Sequence, residues 1–135
     1  MIHALSPIQT VQPTEKPVSL AEAKAHLRVD HSNEDVLIEA LISAATDSLD
    51  GWSGVLGRCL VTQTWRQDFR AFGVGGEIRL PFPDVQSVSV EYTDANGVTQ
   101  TLSSSIYELV SDRLGAAIVL AYNQQWPSVD EVQNA

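Results

Sequence analysis

Between Gly51 and Gly57 the spacing of apolar residues changes from a helical period to alternation, and this limits the fold more than any single motif. Before the change, Ile38, Leu41, Ile42, Ala45, Leu49 and Trp52 recur at intervals of three and four. They predict a helix ending near Gly51, with that set buried and Glu39, Ser43, Asp47 and Asp50 in water. Ser32 is its expected N-cap, and Glu34 and Asp35 put negative charge where the helix dipole favours it. Ala40, Ala44 and Ser48 form a third row, small side chains at i, i+4 and i+8. Such a row lets a second helix approach closely, so it marks a helix–helix or subunit interface. One candidate for that second helix is the segment from Ser19 to Arg28, where Ser19 and Glu22 have capping-box spacing. The other is a neighbouring subunit.

After the change, Val61, Trp65 and Phe69 alternate with polar residues and predict a long strand. Glu77 to Leu80 reads as a short strand stopped by Pro81 and Pro83, and Val85 to Thr93 as another. Asn96-Gly97 predicts a hairpin returning through Val98 to Leu102. Ile106 to Val110 and Ala117 to Ala121 make a second hairpin around Asp112-Arg113-Leu114-Gly115. The expected fold class is therefore α+β, an N-terminal helical hairpin followed by an antiparallel β meander. Its parts are an extended proline-containing arm (1–18), a helical part (19–58), a β part (59–122) and a polar C-terminal tail (123–135).

The chain has 135 residues, eight Lys plus Arg against 17 Asp plus Glu, and a formal charge of −9. Scattered cations on an acidic chain argue against a protein that grips DNA phosphates. Met1 to Lys16 has neither a basic segment nor an apolar run, so no signal peptide or membrane anchor is expected there, and a soluble chain made in the cytoplasm is. The single cysteine, Cys59, has no partner for a disulfide or a Cys-based metal site and reads as a small, buried apolar residue.

Reactive constellations are sparse. His26 and His31, with Asp30, Glu34 and Asp35, have no spacing that puts metal ligands on one helical face. Asp68 and Glu91 could pair only by chance. Gly73-Val74-Gly75-Gly76 lacks the Lys-Ser/Thr that completes a phosphate loop, and Asp94-x-Asn96-Gly97 lacks the later ligands of a calcium loop. Trp52 and Trp65 continue core stripes, whereas Trp126 does not. No catalytic residue, metal or cofactor is expected. The arm, the small-residue row and the tail suit assembly, with Trp126, Pro127, Val129 and Val132 as tail positions for partner contact. A carbohydrate or host-surface binding module, using Tyr122 and Trp126, is the alternative.

The residues from Val18 to Asp30, followed by Glu34-Asp35-x-Leu37-Ile38-x-x-Leu41-Ile42-x-Ala44-Ala45, resemble the opening of tailed-phage head–tail connector proteins. These proteins, also called head-completion or adaptor proteins, occur in prophages and gene transfer agents. Leu80-Pro81-x-Pro83-x-Val85-x-Ser87-Val88 and Tyr92-x-Asp94-x-x-Gly97-Val98-x-Gln100-Thr101-Leu102 resemble the β part of the same family, so the likeness runs from Val18 to Pro127. It implies a non-enzymatic virion protein at the head–tail interface, present in the host cytoplasm during assembly. It also implies a homo-oligomeric ring, a dodecamer in the particle, between the portal and a tail-side connector or tail protein. DNA would pass through without sequence-specific binding, and the charge of −9 either lines the lumen and repels its phosphates or keeps the free subunit soluble before assembly. The resemblance implies a further strand and a C-terminal helix beyond Trp126-Pro127, and neither is expected in the residues up to Ala135.

Overall fold

The computed structural model describes residues 4–73 and 75–129. In chain order the elements are β1 (Ile8–Val11), α1 (Leu20–Leu27), α2 (Asp35–Leu49), β2 (Thr64–Arg66), β3 (Glu77–Arg79), β4 (Glu91–Thr93), β5 (Thr99–Thr101), β6 (Tyr107–Asp112) and β7 (Gly115–Leu120). The strands form three antiparallel sheets, β1-β2, β3-β7-β6 and β4-β5. Among the described residues no helix is long and apolar enough to cross a membrane.

This architecture overturns the expected α+β class of an N-terminal helical hairpin followed by one meander. The described fold is mainly β, and a strand opens it. The partner of β1 is β2, on the far side of both helices, so the helices interrupt a sheet instead of leading into one. The arm also lies on its own chain. Leu5 N–H donates to the Asp68 carbonyl (2.9 Å), Gln67 Nε2 donates to the Leu5 carbonyl (3.0 Å), and Ala4 bridges Phe69. Most strands are shorter than their alternation suggests. The stretch from Val61 to Phe69 forms a strand only at Thr64–Arg66, and that from Val85 to Thr93 only at Glu91–Thr93.

The chain divides into two compact units, 9–65 and the described parts of 1–8 with 66–135. In the first, Ser19 caps α1 as its sequence predicts. Its hydroxyl accepts from Glu22 N–H (3.2 Å), and the Glu22 carboxylate accepts from Ser19 N–H (2.9 Å), so two amides at the helix start are satisfied reciprocally. Arg28 ends α1 in the left-handed conformation, φ +59°.

The N-cap of α2 is Glu34, not Ser32, and no side chain caps it. Asp35 N–H instead bonds the Ser32 carbonyl in a preceding turn (3.3 Å). A Lys24–Asp35 ion pair (2.6 Å) ties α2 to α1. Asp50 in extended conformation and Gly51 at φ +74° stop α2, so Trp52 leaves the helical stripe. A Cβ at Gly51 would also lie 3.0 Å from the Trp65 ring. Asp50 then organises the return of the chain, accepting from Leu60 N–H (2.6 Å) and Gln63 Nε2 (2.8 Å). The Gln63 side-chain oxygen, Oε1, accepts from Trp65 Nε1 (3.0 Å) and from Gln9 Nε2 (2.5 Å), joining β1 to this knot.

The second unit holds the main core, Ile78, Leu102, Tyr107 and Ile118. Strand β7 is central in its sheet, and Ile118 pairs with Ile78 on one side and Leu109 on the other. Tyr107 keeps its hydroxyl satisfied by donating to the Val88 carbonyl (3.1 Å). The Asn96-Gly97 hairpin forms as expected, although only Gly97 takes positive φ (+77°) and Asn96 does not. Gly97 N–H donates to the Asp94 carbonyl (2.9 Å) and Asp94 N–H to the Val98 carbonyl (2.9 Å), the bonding of a three-residue loop closed by a glycine bulge.

Arg79 of β3 reaches across β7 to Asp112 of β6 in a two-pronged ion pair (2.8 and 2.7 Å). The Arg79 guanidinium first, and then the Leu114 N–H, hold the Asp112 carboxyl down to about 2 from its ordinary 3.8. The stability this confers is complete above about pH 4, where Asp112 is ionised in folded and unfolded chains alike, and drains away as pH falls toward 2. Denaturant midpoints measured across that window are expected to fall more steeply for the native sequence than for Asp112→Asn; equal slopes would contradict this linkage.

Candidate assembly surface

Helix α2 is apolar on two sides. At about 100° per residue, Ile38 and Ile42 occupy one narrow arc. Ile38 is buried and Ile42 half-buried. Val36, Leu37, Ala40, Leu41, Ala44 and Ser48 fall in a second arc centred roughly 150° away, with Asp47 inside it between Val36 and Ala40. All six are exposed, Val36 at 84%, Leu37 at 58% and Leu41 at 59%. The expectation that Leu41, Ala45, Leu49 and Trp52 join Ile38 in a buried face is therefore wrong. An eight-residue α1 is too short to cover more than a stripe of its neighbour, and it leaves Ala40, Ala44 and Ser48 open. A helix apolar on opposite sides belongs between two bodies, and here only one is supplied.

The patch extends beyond the helix. Val55 N–H bonds the Ser48 carbonyl (3.0 Å) and Leu56 N–H the Leu49 carbonyl (3.3 Å), which holds a segment with two more exposed apolar side chains at the C-terminal end of α2. That extension matters energetically. Burying three aliphatic side chains yields roughly 4–8 kcal/mol, comparable with the lower estimates of the cost of bringing two molecules together, about 4–15 kcal/mol. With Val55 and Leu56 added, the total still falls inside the range of that cost, so the net gain on association is small.

The tail candidates sit in the second unit. Trp126 is half-buried and stacks on Phe72 (4.9 Å between ring centres, 10° between planes), while Phe72 meets Tyr92 edge-on (6.0 Å). One face of the Trp126 ring is thus spent on packing within its own unit. Pro127 is half-buried beside it, and Val129 bridges Asp94. Val132 lies outside the described residues. Tyr122, the other residue of the carbohydrate reading, is exposed.

The remaining candidates have structural surroundings. Among the described residues no group of three or more His, Cys, Asp or Glu is placed to hold a metal ion. Burial, then the negative charge of Asp50, push the Cys59 thiol above its ordinary value, the opposite of what a nucleophile needs. Asp68 accepts from Arg66 (2.7 Å), whose charge also feels Glu91, so a cation stands where a carboxylate pair would have to share a proton. The Asp94 carboxylate is committed to Asn96 N–H (2.8 Å), Val98 N–H (3.1 Å) and Gln100 Nε2 (3.0 Å), and it acts as a turn clamp.

An exposed apolar helix face of this kind is the mark of a surface that binds a partner. The chain matches the family model described as Phage gp6-like head-tail connector protein over residues 17–113, most of its length, and it belongs to that family. The match takes in both helices and most of the strands, and it ends before Trp126. No curated protein and no solved structure matches the chain. Family membership gives it a structural role in the virion, at the junction of phage head and tail, in contact with other head and tail proteins.

Proposed function

We propose that copies of this chain assemble into a ring, a dodecamer in the particle, below the portal. The ring extends the DNA channel and docks a tail-side connector or tail protein, after assembly from subunits in the host cytoplasm. The uncovered second face of α2 carries this reading, because Ala40, Ala44 and Ser48 allow close approach while Val36, Leu37 and Leu41 supply the apolar area. Subunit contact is assigned to this face in preference to the tail, whose Trp126 already packs on Phe72. A charge of −9 on each subunit suits a channel that DNA traverses without being held.

Electron microscopy of the full chain mixed with its portal, and of intact particles, tests the proposal. An annular layer between portal and tail is the expected result. A chain that stays monomeric with portal and contributes no density at the junction overturns it.

A further inference from the structure

The β4-β5 turn holds a chemically labile pair in a conformation that restrains it. Asn96 is exposed and is followed by Gly97, and a Cβ at Gly97 would meet nothing within 4 Å, so no packed side chain shields the peptide bond between them. The restraint comes from hydrogen bonds. Gly97 N–H is given to the Asp94 carbonyl (2.9 Å), while Asp94 Oδ1 accepts from both Asn96 N–H (2.8 Å) and Val98 N–H (3.1 Å). Gln100 Nε2, donating to Oδ2 (3.0 Å), fixes the carboxylate in place.

We propose that Asn96 is a site of spontaneous modification whose rate is set by the Asp94 clamp. In the reaction the Gly97 main-chain nitrogen loses its proton and attacks the side-chain carbonyl carbon of Asn96. A C–N bond forms, the bond to the side-chain nitrogen breaks, and ammonia leaves. Water then opens the cyclic imide at either carbonyl, leaving an aspartyl or isoaspartyl residue at position 96. No oxidant or enzyme is required. The attacking nitrogen is the one whose N–H the turn engages, so cyclisation requires this bond to open first. Either product puts a new carboxylate two residues from Asp94, and the isoaspartyl form adds a methylene to the main chain of a turn that also bridges Val129.

The test is peptide mass mapping of the full chain during incubation in mildly alkaline buffer, with circular dichroism on the same samples. Asn96 is expected to be modified ahead of Asn33 and Asn123, which precede Glu34 and Gln124. Asp94→Ala should raise the rate at position 96 about fivefold or more, and Gln100→Ala by a smaller factor. Asp94→Asn, which retains an acceptor oxygen, should stay within about twofold of the native sequence. Gln100→Ala touches only an exposed side chain and keeps the experiment readable should Asp94→Ala lose the hairpin. Modification at Asn33 or Asn123 ahead of Asn96, or equal rates at Asn96 in the native chain, Gln100→Ala and Asp94→Ala, overturns the proposal.

Discussion

Replacing Ala44 with arginine is expected to abolish the proposed ring while leaving the fold intact. Ala44 lies mid-row between Ala40 and Ser48, where a close-packed neighbour would leave no room for a guanidinium and no partner for its charge. Burying that charge unpaired costs at least about 3 kcal/mol, more than a hundredfold in affinity at each contact, and a closed ring multiplies the loss. Because Ala44 is exposed in the single chain, the melting of that chain should shift by no more than about 0.5 kcal/mol. Sedimentation or light scattering in the presence of portal reads the first effect and thermal melting the second. Rings that form normally from Ala44→Arg would remove α2 from the subunit interface.

The largest effect on stability is expected from Ile118→Ala. Ile118 is 3% exposed, sits at the middle of the central strand β7 and packs within the cluster of Ile78, Leu102 and Tyr107. The strands on both sides fix the backbone, so the cavity cannot collapse, and the loss should be about 2–5 kcal/mol. That is a large part of the 5–15 kcal/mol typical of a whole domain. Leu114→Ala, at an 83% exposed turn position two residues before β7's first alanine, should change little. Urea midpoints at unchanged slope compare the two. A loss below about 1 kcal/mol for Ile118→Ala would mean that the core is centred elsewhere.

What could be read from the sequence was local. Ser19 and Glu22 are three residues apart and settle the start of α1 between themselves, and the Asp94–Gly97 turn likewise needs no distant residue. Elements completed far along the chain were hidden. Strand β1 lies in a proline-containing segment and is completed only by pairing with β2, beyond both helices, where Gln9 also meets Gln63, 54 residues later. Strand β3 looked like a step in a meander but pairs with β7 across two intervening sheet strands and β6. The Ala40-Ala44-Ser48 row was visible, yet the exposure of Leu41 was not, because three-and-four spacing says a face is apolar without saying what covers it. Family kinship, carried by the order of the two halves, was legible where the fold class was not.

The modest area of the second α2 face has a consequence for the timing of assembly. A surface only just able to repay association binds weakly between freely diffusing molecules, so dilute subunits remain apart. Held side by side on a circular template, the same subunits meet at an effective concentration near the millimolar range, and a marginal contact closes. Such a ring would be nucleated by the vertex that needs it and would not accumulate as empty annuli elsewhere.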